Sequence, residues 1–192
     1  MQKEEIMKTS VKIQRGRDLP APTCKRVTDV WRKEWPVKTP LTARNREKFA
    51  DDIFFIVRDS NNKIISIGRL HHITFEFLGK DYKILGIGDI VSVKQRKGYG
   101  KIVMQAIHKY LKRTKQTGIG FCSPKNAPFY AKCGFKITKT FVKRFYKRMP
   151  GGKIQKSKWQ KADTLYLDGK DKLMKKILSH PRTRIFTSKL HW

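Results

Sequence analysis

The residues whose types and spacing point to chemistry lie in one stretch, from Ile84 to Phe135. An apolar run, residues 84–93, is followed by the turn Gln-Arg-Lys-Gly-Tyr-Gly-Lys (residues 95–101) and then by apolar residues at helical spacing. A strand that enters a glycine-spaced turn at a helix N-terminus leaves backbone N–H groups unpaired, and the helix dipole favours negative charge there. The stretch therefore predicts a phosphate-binding turn that suits a pyrophosphate better than a lone carboxylate.

Five residues of this turn are the predicted phosphate contacts. Gly98 and Gly100 lack Cβ atoms and let a ligand approach the backbone closely. Arg96, Lys97 and Lys101 place positive charge around that ligand. Because glycine with basic residues is common in ordinary loops, the prediction depends on the strand before the turn and the amphipathic helix after it.

A second motif, Phe-Tyr-Ala-Lys-Cys-Gly-Phe (residues 129–135), follows the helix and a short predicted strand. With both motifs, the chain resembles the GCN5-related N-acetyltransferase (GNAT) superfamily, whose pyrophosphate loop has the pattern Gln/Arg-x-x-Gly-x-Gly/Ala. The matching residues are Gln95, Gly98 and Gly100 in the loop and Tyr130, Gly134 and Phe135 in the second signature.

The resemblance implies an N-acetyltransferase that passes the acetyl group of acetyl-CoA to a primary amine by direct attack. In that superfamily the loop holds the pyrophosphate, and the tyrosine, here Tyr130, reprotonates the departing thiolate. The implied fold is α/β (α+β), with a mixed, mostly antiparallel central sheet of about seven strands and helices on both faces. A splay between the two parallel central strands admits the pantetheine arm. The cofactor core, about residues 84–135, belongs to a single predicted domain, residues 1–192.

Acetyl transfer also needs a polarised carbonyl and a proton acceptor. Backbone N–H groups near Val91 and Val93 can bind the carbonyl oxygen as an oxyanion-type site. Asp89 is the only carboxylate within residues 84–93, and alternation places it on one face with Val91 and Val93. Burial there could raise its pKa and make it a general base. Two alternatives stay open: Asp89 at a strand kink makes only structural hydrogen bonds, and Tyr130 is only a packing residue.

The elements that must position these groups are predicted from periodicity and turn residues. Predicted strands cover residues 10–14, 52–58, 63–78, 82–93, 117–123, 135–149 and 164–167. Predicted helices start at the cap Thr23, at Thr39-Pro40 running toward Phe49, and at Lys170, besides the two between residues 99 and 135. In the superfamily the first two helices form one wall of the acceptor groove.

The acceptor is left open as a small-molecule or protein amine. The order of elements and the tail most resemble aminoglycoside 2'-N-acetyltransferases, in which acidic side chains and the C-terminal carboxylate line the aminoglycoside site. That resemblance implies Glu34, Asp89 and the terminal Trp192 as acceptor-binding residues.

The charge is the unusual feature of the composition. Forty-five Lys and Arg against 15 Asp and Glu give +30, more than a coenzyme A site needs. Two interpretations stay open: an acidic partner such as nucleic acid or a ribosome, drawn by long-range attraction and counterion release, or a lysine-rich solvated surface. The first gives an alternative function, a basic nucleic-acid- or ribosome-associated GNAT-fold protein without turnover.

Other sequence features indicate where the protein resides and the state of its cysteines and histidines. No apolar run is long enough to span a membrane and the first residues do not form a signal peptide, so cytoplasmic residence is expected. Three cysteines without metal-ligand spacing predict free buried thiols. His71 and His72 are adjacent on a predicted strand and point to opposite faces, so no metal site is expected. The oligomeric state is open.

Overall fold

The elements are described from a computed structural model, which covers residues 9–34, 40–139, 141–158, 161–190 and 192. The strands of this part are β1 (Ser10–Arg15), β2 (Ile53–Arg58), β3 (Ile64–Phe77), β4 (Lys80–Ser92), β5 (Gly118–Cys122), β6 (Lys136–Thr138), β7 (Phe145–Arg148), β8 (Ile154–Lys156), β9 (Asp163–Leu167) and β10 (Ile185–Thr187). The helices are α1 (Ala21–Arg32), α2 (Tyr99–Thr114), α3 (Ala127–Lys132) and α4 (Leu173–Leu178). None of these helices is long and apolar enough to cross a membrane.

The strands pair in the order β6-β9-β5-β4-β3-β10-β7-β8, with β2 also beside β3 and β1 beside β2. The pairs β4–β5 and β7–β10 are parallel, whereas β1–β2, β3–β10, β5–β9, β6–β9 and β7–β8 are antiparallel. The predicted mixed, mostly antiparallel α/β fold is therefore confirmed, with ten strands instead of about seven. The parallel register of β4 and β5 covers Leu85–Ile87 and Gly118–Gly120. The predicted splay beyond this register stays a prediction.

The chain divides into two compact units, one of residues 1–69 and 89–106 and one of residues 70–88 and 107–192. In the first unit, one face of α1 packs into a core with residues of β2, β3 and β4. Helix α1 begins at Ala21 after Pro20, so the prediction that Thr23 caps it is wrong. Pro22 fits the first helical turn, where its missing N–H would have no partner in any case. The prediction of a single domain stays a prediction.

The predicted second helix is largely absent from the first unit. Its proposed start, Thr39, lies outside the described residues, and the described segment that follows shows only a 3₁₀ turn at Arg46–Phe49. The side chain of Asn45 accepts from the Thr42 N–H at 2.8 Å and donates to the Pro40 carbonyl at 2.6 Å. Such local side-chain bonds to the backbone compete with helix formation.

In the second unit, the predicted strand over residues 135–149 is divided. It consists of β6, a 3₁₀ turn at Phe141–Arg144, and β7. Phe141 and Val142 are both buried within this turn, which interrupts the strand. Two further strands were not predicted: β8, and β10 near the C-terminal end of the described chain. Both have only three residues, too few for alternation to reveal them.

Candidate active site

The predicted turn at the start of α2 is present, with two residues in the left-handed region. Arg96 has φ of 61° and Gly98 has φ of 76°, and α2 begins at Tyr99. The Gly98 carbonyl accepts from the N–H groups of Lys101 (3.0 Å) and Ile102 (3.3 Å) and so begins the helix. The N–H groups that precede these bonds lie in the first turn of a 16-residue helix that has no acidic residue there. This end of α2 is suited to an anion.

Gly98 is needed for its backbone conformation. A Cβ atom added to it would meet nothing within 4 Å, but at φ of 76° a side chain is strained. The open space beside Gly98 lets an anion reach the backbone. Arg96, Lys97 and Lys101 are exposed around the turn, as mobile countercharges to a phosphate would be.

The hydrogen bonds of β4 bear on the predicted oxyanion donors. The Val93 N–H donates to the Ile65 carbonyl of the preceding segment at 3.0 Å, so it is already engaged. The Val91 carbonyl accepts from the Ser66 hydroxyl at 2.9 Å, which places it on the β3 side too. Because N–H groups two residues apart on a strand point the same way, those of Val91 and Val93 both face β3. The Val93 N–H is thus engaged within the sheet, and which N–H groups bind the carbonyl oxygen stays a prediction.

The backbone at Asp89 departs from the expected strand. Its φ is 52°, in the left-handed region that only Gly, Asn and Asp visit readily. The alternation that placed Asp89 on one face with Val91 and Val93 is therefore interrupted at Asp89 itself. Its environment is also not purely apolar, because Asp89 forms an ion pair with Arg69, whose Nη2 lies 2.5 Å from its Oδ2.

Arg69 is the centre of a cluster in the first unit that the sequence did not predict. Its side chain is 11% exposed and pairs with Asp89 and, at 3.4 Å, with Asp52, whose side chain is 10% exposed. The guanidinium carbon also lies 4.9 Å from the ring centroid of Trp31 and 5.0 Å from that of Phe49. A signal was available, because Arg69 is the only charged residue of the apolar stretch from Ile64 to Leu70.

In the second unit, the glycine of the second motif holds Tyr130 in place. Gly134 has φ of 93° and follows Cys133, the C-cap residue of α3. The Phe135 N–H donates to the Tyr130 carbonyl and the Gly134 N–H to the Ala131 carbonyl, at 3.2 and 2.9 Å. These two bonds form a Schellman motif, which requires the left-handed residue. The Tyr-x-x-Cys-Gly-Phe pattern is thus a helix ending that fixes the position of the tyrosine.

The phenol of Tyr130 is held protonated by its surroundings. Burial, with smaller contributions from Cys122 and Cys133, raises the pKa of Tyr130 to about 12. Burial and the nearby Asp163 likewise raise the pKa of the Cys122 thiol to about 11. All three cysteines are buried, as predicted. A phenol in this state can donate a proton or a hydrogen bond at neutral pH, whereas the thiols are poor nucleophiles.

Two of the three predicted acceptor residues, Glu34 and Trp192, differ in surroundings. Glu34 is exposed on the turn after α1, where its N–H donates to the Trp31 carbonyl. Trp192 is partly buried in the second unit, where its indole N–H donates to the Ile119 carbonyl at 3.1 Å and its ring centroid lies 4.6 Å from that of Phe121. Among the described residues, no three His, Cys, Asp or Glu side chains could together hold a metal ion.

Comparisons with known proteins agree with the fold. The chain is similar in structure to the GNAT family N-acetyltransferase YhbS from Escherichia coli, solved in complex with CoA (11% identity, 99% of this chain and 95% of that chain, TM-score 0.58). It is also similar to an acyl-CoA N-acyltransferase from Pseudomonas aeruginosa (12%, 83% and 99%, 0.55) and to an N-acetyltransferase from Staphylococcus aureus Mu50 (14%, 84% and 97%, 0.54).

The sequence itself identifies the family. Comparison with curated proteins gave no match. Residues 17–138, more than half of the chain, match the model of the acetyltransferase (GNAT) domain. The chain therefore belongs to the GNAT family and is an acyl-CoA-dependent N-acetyltransferase with acetyl-CoA as its donor.

Proposed function

We propose that the protein acetylates a primary amine by direct attack of the neutral amine on the thioester of acetyl-CoA. A C–N bond forms, the C–S bond breaks, the amine loses a proton and the departing thiolate gains one. The observation that carries the proposal is the turn at Arg96–Gly98, which presents backbone N–H groups to an anion at the start of α2. No covalent enzyme intermediate is needed, in keeping with the raised pKa of the Cys122 thiol.

The turn is proposed to bind the pyrophosphate, and Gly98 gives the test. In Gly98→Ala the added methyl group meets no protein atom, but the left-handed backbone costs about 1–2 kcal/mol. If the turn relaxes to avoid that cost, coenzyme A affinity should fall about 5- to 30-fold, measured by isothermal titration.

Gly151→Ala is the matched control. Gly151 has φ of 73° and also has open space where a Cβ would be, so the strain is the same. Its coenzyme A affinity should equal that of the wild type. Equal affinity in Gly98→Ala and the wild type would remove the turn from the cofactor site.

The groups that act on the thioester and the amine are proposed on both sequence and geometry. We assign Tyr130 as the acid for the thiolate and Asp89, acting through water, as the base. Since the N–H groups of Val91 and Val93 face β3, we assign the carbonyl oxygen to the N–H groups of Ile90 and Ser92, which point the other way.

Asp89→Asn should lower the rate of acetyl transfer chiefly at acidic pH, where the amine is protonated and most needs a base. An unchanged acidic limb would assign the base to another group.

The acceptor is proposed to be an amine of a small molecule or of a peptide, with Glu34 and Trp192 among its contacts. Glu34 is exposed and anionic, which suits an ammonium group before it loses its proton. A screen of polyamines, aminoglycosides, peptide N-termini, lysine peptides and charged tRNA, with thiol release as the readout, tests the function directly. Absence of thiol release above the rate of hydrolysis with every acceptor would contradict the proposal.

A further inference from the structure

One side of the sheet in the second unit carries a row of side chains that the acetyl transfer does not use. The register aligns Glu76 of β3 with Phe186 of β10, Phe186 with Tyr146 of β7, and Tyr146 with Lys156 of β8. Residues in register share a face of the sheet. Their chain neighbours, such as Phe145, are buried in the core of this unit. The row therefore lies on the face opposite the core, and we call it the outer row.

Two arginines lie over the aromatic rings of the outer row. The guanidinium carbon of Arg148 is 3.8 Å from the ring centroid of Phe186, and that of Arg184 is 5.2 Å from the centroid of Tyr146. The two rings are 6.2 Å apart. Glu76 holds the Arg148 guanidinium in two bonds, of 2.7 and 3.2 Å. The result is a pair of flat, cationic stacks whose arginines are exposed to solvent.

A pocket beside Phe186 adds both hydroxyl groups and charged groups. Its lining includes the hydroxyl residues Thr74 and Ser188 and the carboxylates Glu76 and Asp81, next to Lys147. Carboxylates repel a phosphate but accept hydrogen bonds from the amino groups of bases. A base edge therefore suits this pocket better than a bare anion does.

The edge of the sheet at which the outer row ends is exposed and basic. Strand β8 is the last in the strand order, and all three of its residues are exposed, with Ile154 at 48%. Lys153 and Lys156 lie on this strand or next to it. Together with a chain charge of +30, these lysines attract a polyanion to this edge.

We propose that the outer row and the edge strand β8 bind single-stranded nucleic acid. Exposed bases stack on aromatic rings and on guanidinium planes, which Arg148 on Phe186 and Arg184 on Tyr146 provide. Lysines 153 and 156 meet the phosphates, and the pocket beside Phe186 takes the edge of one base. An acidic peptide would satisfy the lysines but leave the stacks and the pocket unused, so nucleic acid is the better fit.

The test uses the full chain and fluorescence anisotropy with a labelled RNA strand of about 15 nucleotides. Binding should weaken steeply as salt rises from about 50 to 200 mM, because phosphate contacts release counterions. A duplex of the same sequence should bind more weakly, since its bases are not free to stack. Tyr146→Leu should lower the affinity for the RNA strand about 5- to 150-fold, which is the range for loss of one stacked base. Tyr146→Phe should bind the RNA strand like the wild type.

A double variant, Lys170→Gln with Lys175→Gln, removes two exposed positive charges from the segment around α4 and leaves the outer row unchanged. It should bind the strand within about twofold of the wild type. No binding at physiological salt, an equal loss in Tyr146→Leu and Tyr146→Phe, or equal affinity for strand and duplex would each overturn the proposal. Tighter binding of polyglutamate than of RNA would also overturn it and indicate an acidic protein partner. Circular dichroism and coenzyme A titration verify that each variant is folded.

Discussion

Tyr130→Phe is expected to lower kcat by about 10²- to 10⁴-fold, the usual contribution of a positioned acid, with little change in the affinity for acetyl-CoA. The substitution removes one hydroxyl and leaves the ring, the Schellman motif and the contact with Phe129 as they are. The measurement is kcat from thiol release with the acceptor found by the screen, beside isothermal titration of acetyl-CoA.

The pH dependence follows from the raised pKa. Burial raises the pKa of Tyr130 to about 12, so the phenol stays protonated through the range of about pH 6–10 in which an amine acceptor is assayed. The wild type should therefore show no loss of rate from Tyr130 on the alkaline side of that range. A descending limb that disappears in Tyr130→Phe would contradict the raised pKa.

Tyr166→Phe is the control for this substitution. Tyr166 is a tyrosine of the same unit, and burial and Asp168 also raise its pKa. The residue as a whole is 8% exposed. It has no proposed role in the transfer, so its kcat should stay within about twofold of the wild type. If Tyr130→Phe keeps a similar rate, the hydroxyl of Tyr130 serves packing only.

The features that were predicted from sequence are those that local pattern encodes. The apolar residues of α2 recur at helical spacing, and Val103, Ile107 and Leu111 are all buried as that spacing predicts. The turn before the helix could be predicted because its left-handed backbone conformation requires a glycine, which stands at Gly98. Gly134 is required in the same way at the end of α3, so in both GNAT motifs a glycine allows a left-handed backbone at one end of a helix.

The features that were missed depend on residues far apart in sequence. Asp89 pairs with Arg69, twenty positions earlier, and nothing in the spacing of the two shows that β3 and β4 bring them together. The left-handed backbone at Asp89 interrupts a run that reads as regular alternation, and the sequence offered a strand kink there only as an alternative. The engagement of the Val93 N–H with Ile65 is set by strand register, which a single strand does not reveal.

The Arg69 cluster gives the largest expected effect on stability. Arg69→Met keeps much of the volume but removes the cation that lies between Asp52 and Asp89, leaving two carboxylates without it. Breaking a buried ion pair by removing one partner typically costs about 3–5 kcal/mol, and all three side chains are less than a third exposed. We expect the free energy of unfolding to fall by about that amount, measured by urea denaturation followed by tryptophan fluorescence.

Two variants separate charge from packing in this result. Arg17→Met breaks an exposed ion pair with Asp51 and should cost only about 0–1 kcal/mol, because solvent screens that pair. Adding Asp52→Asn to Arg69→Met should recover part of the loss, since it removes one of the two buried carboxylates that lose the cation. If the recovery is absent, the loss arises from the packing of Arg69 against Trp31 and Phe49. A loss in Arg69→Met no larger than that in Arg17→Met would show that the cluster contributes no more than a surface pair, and that Asp89 holds its conformation without it.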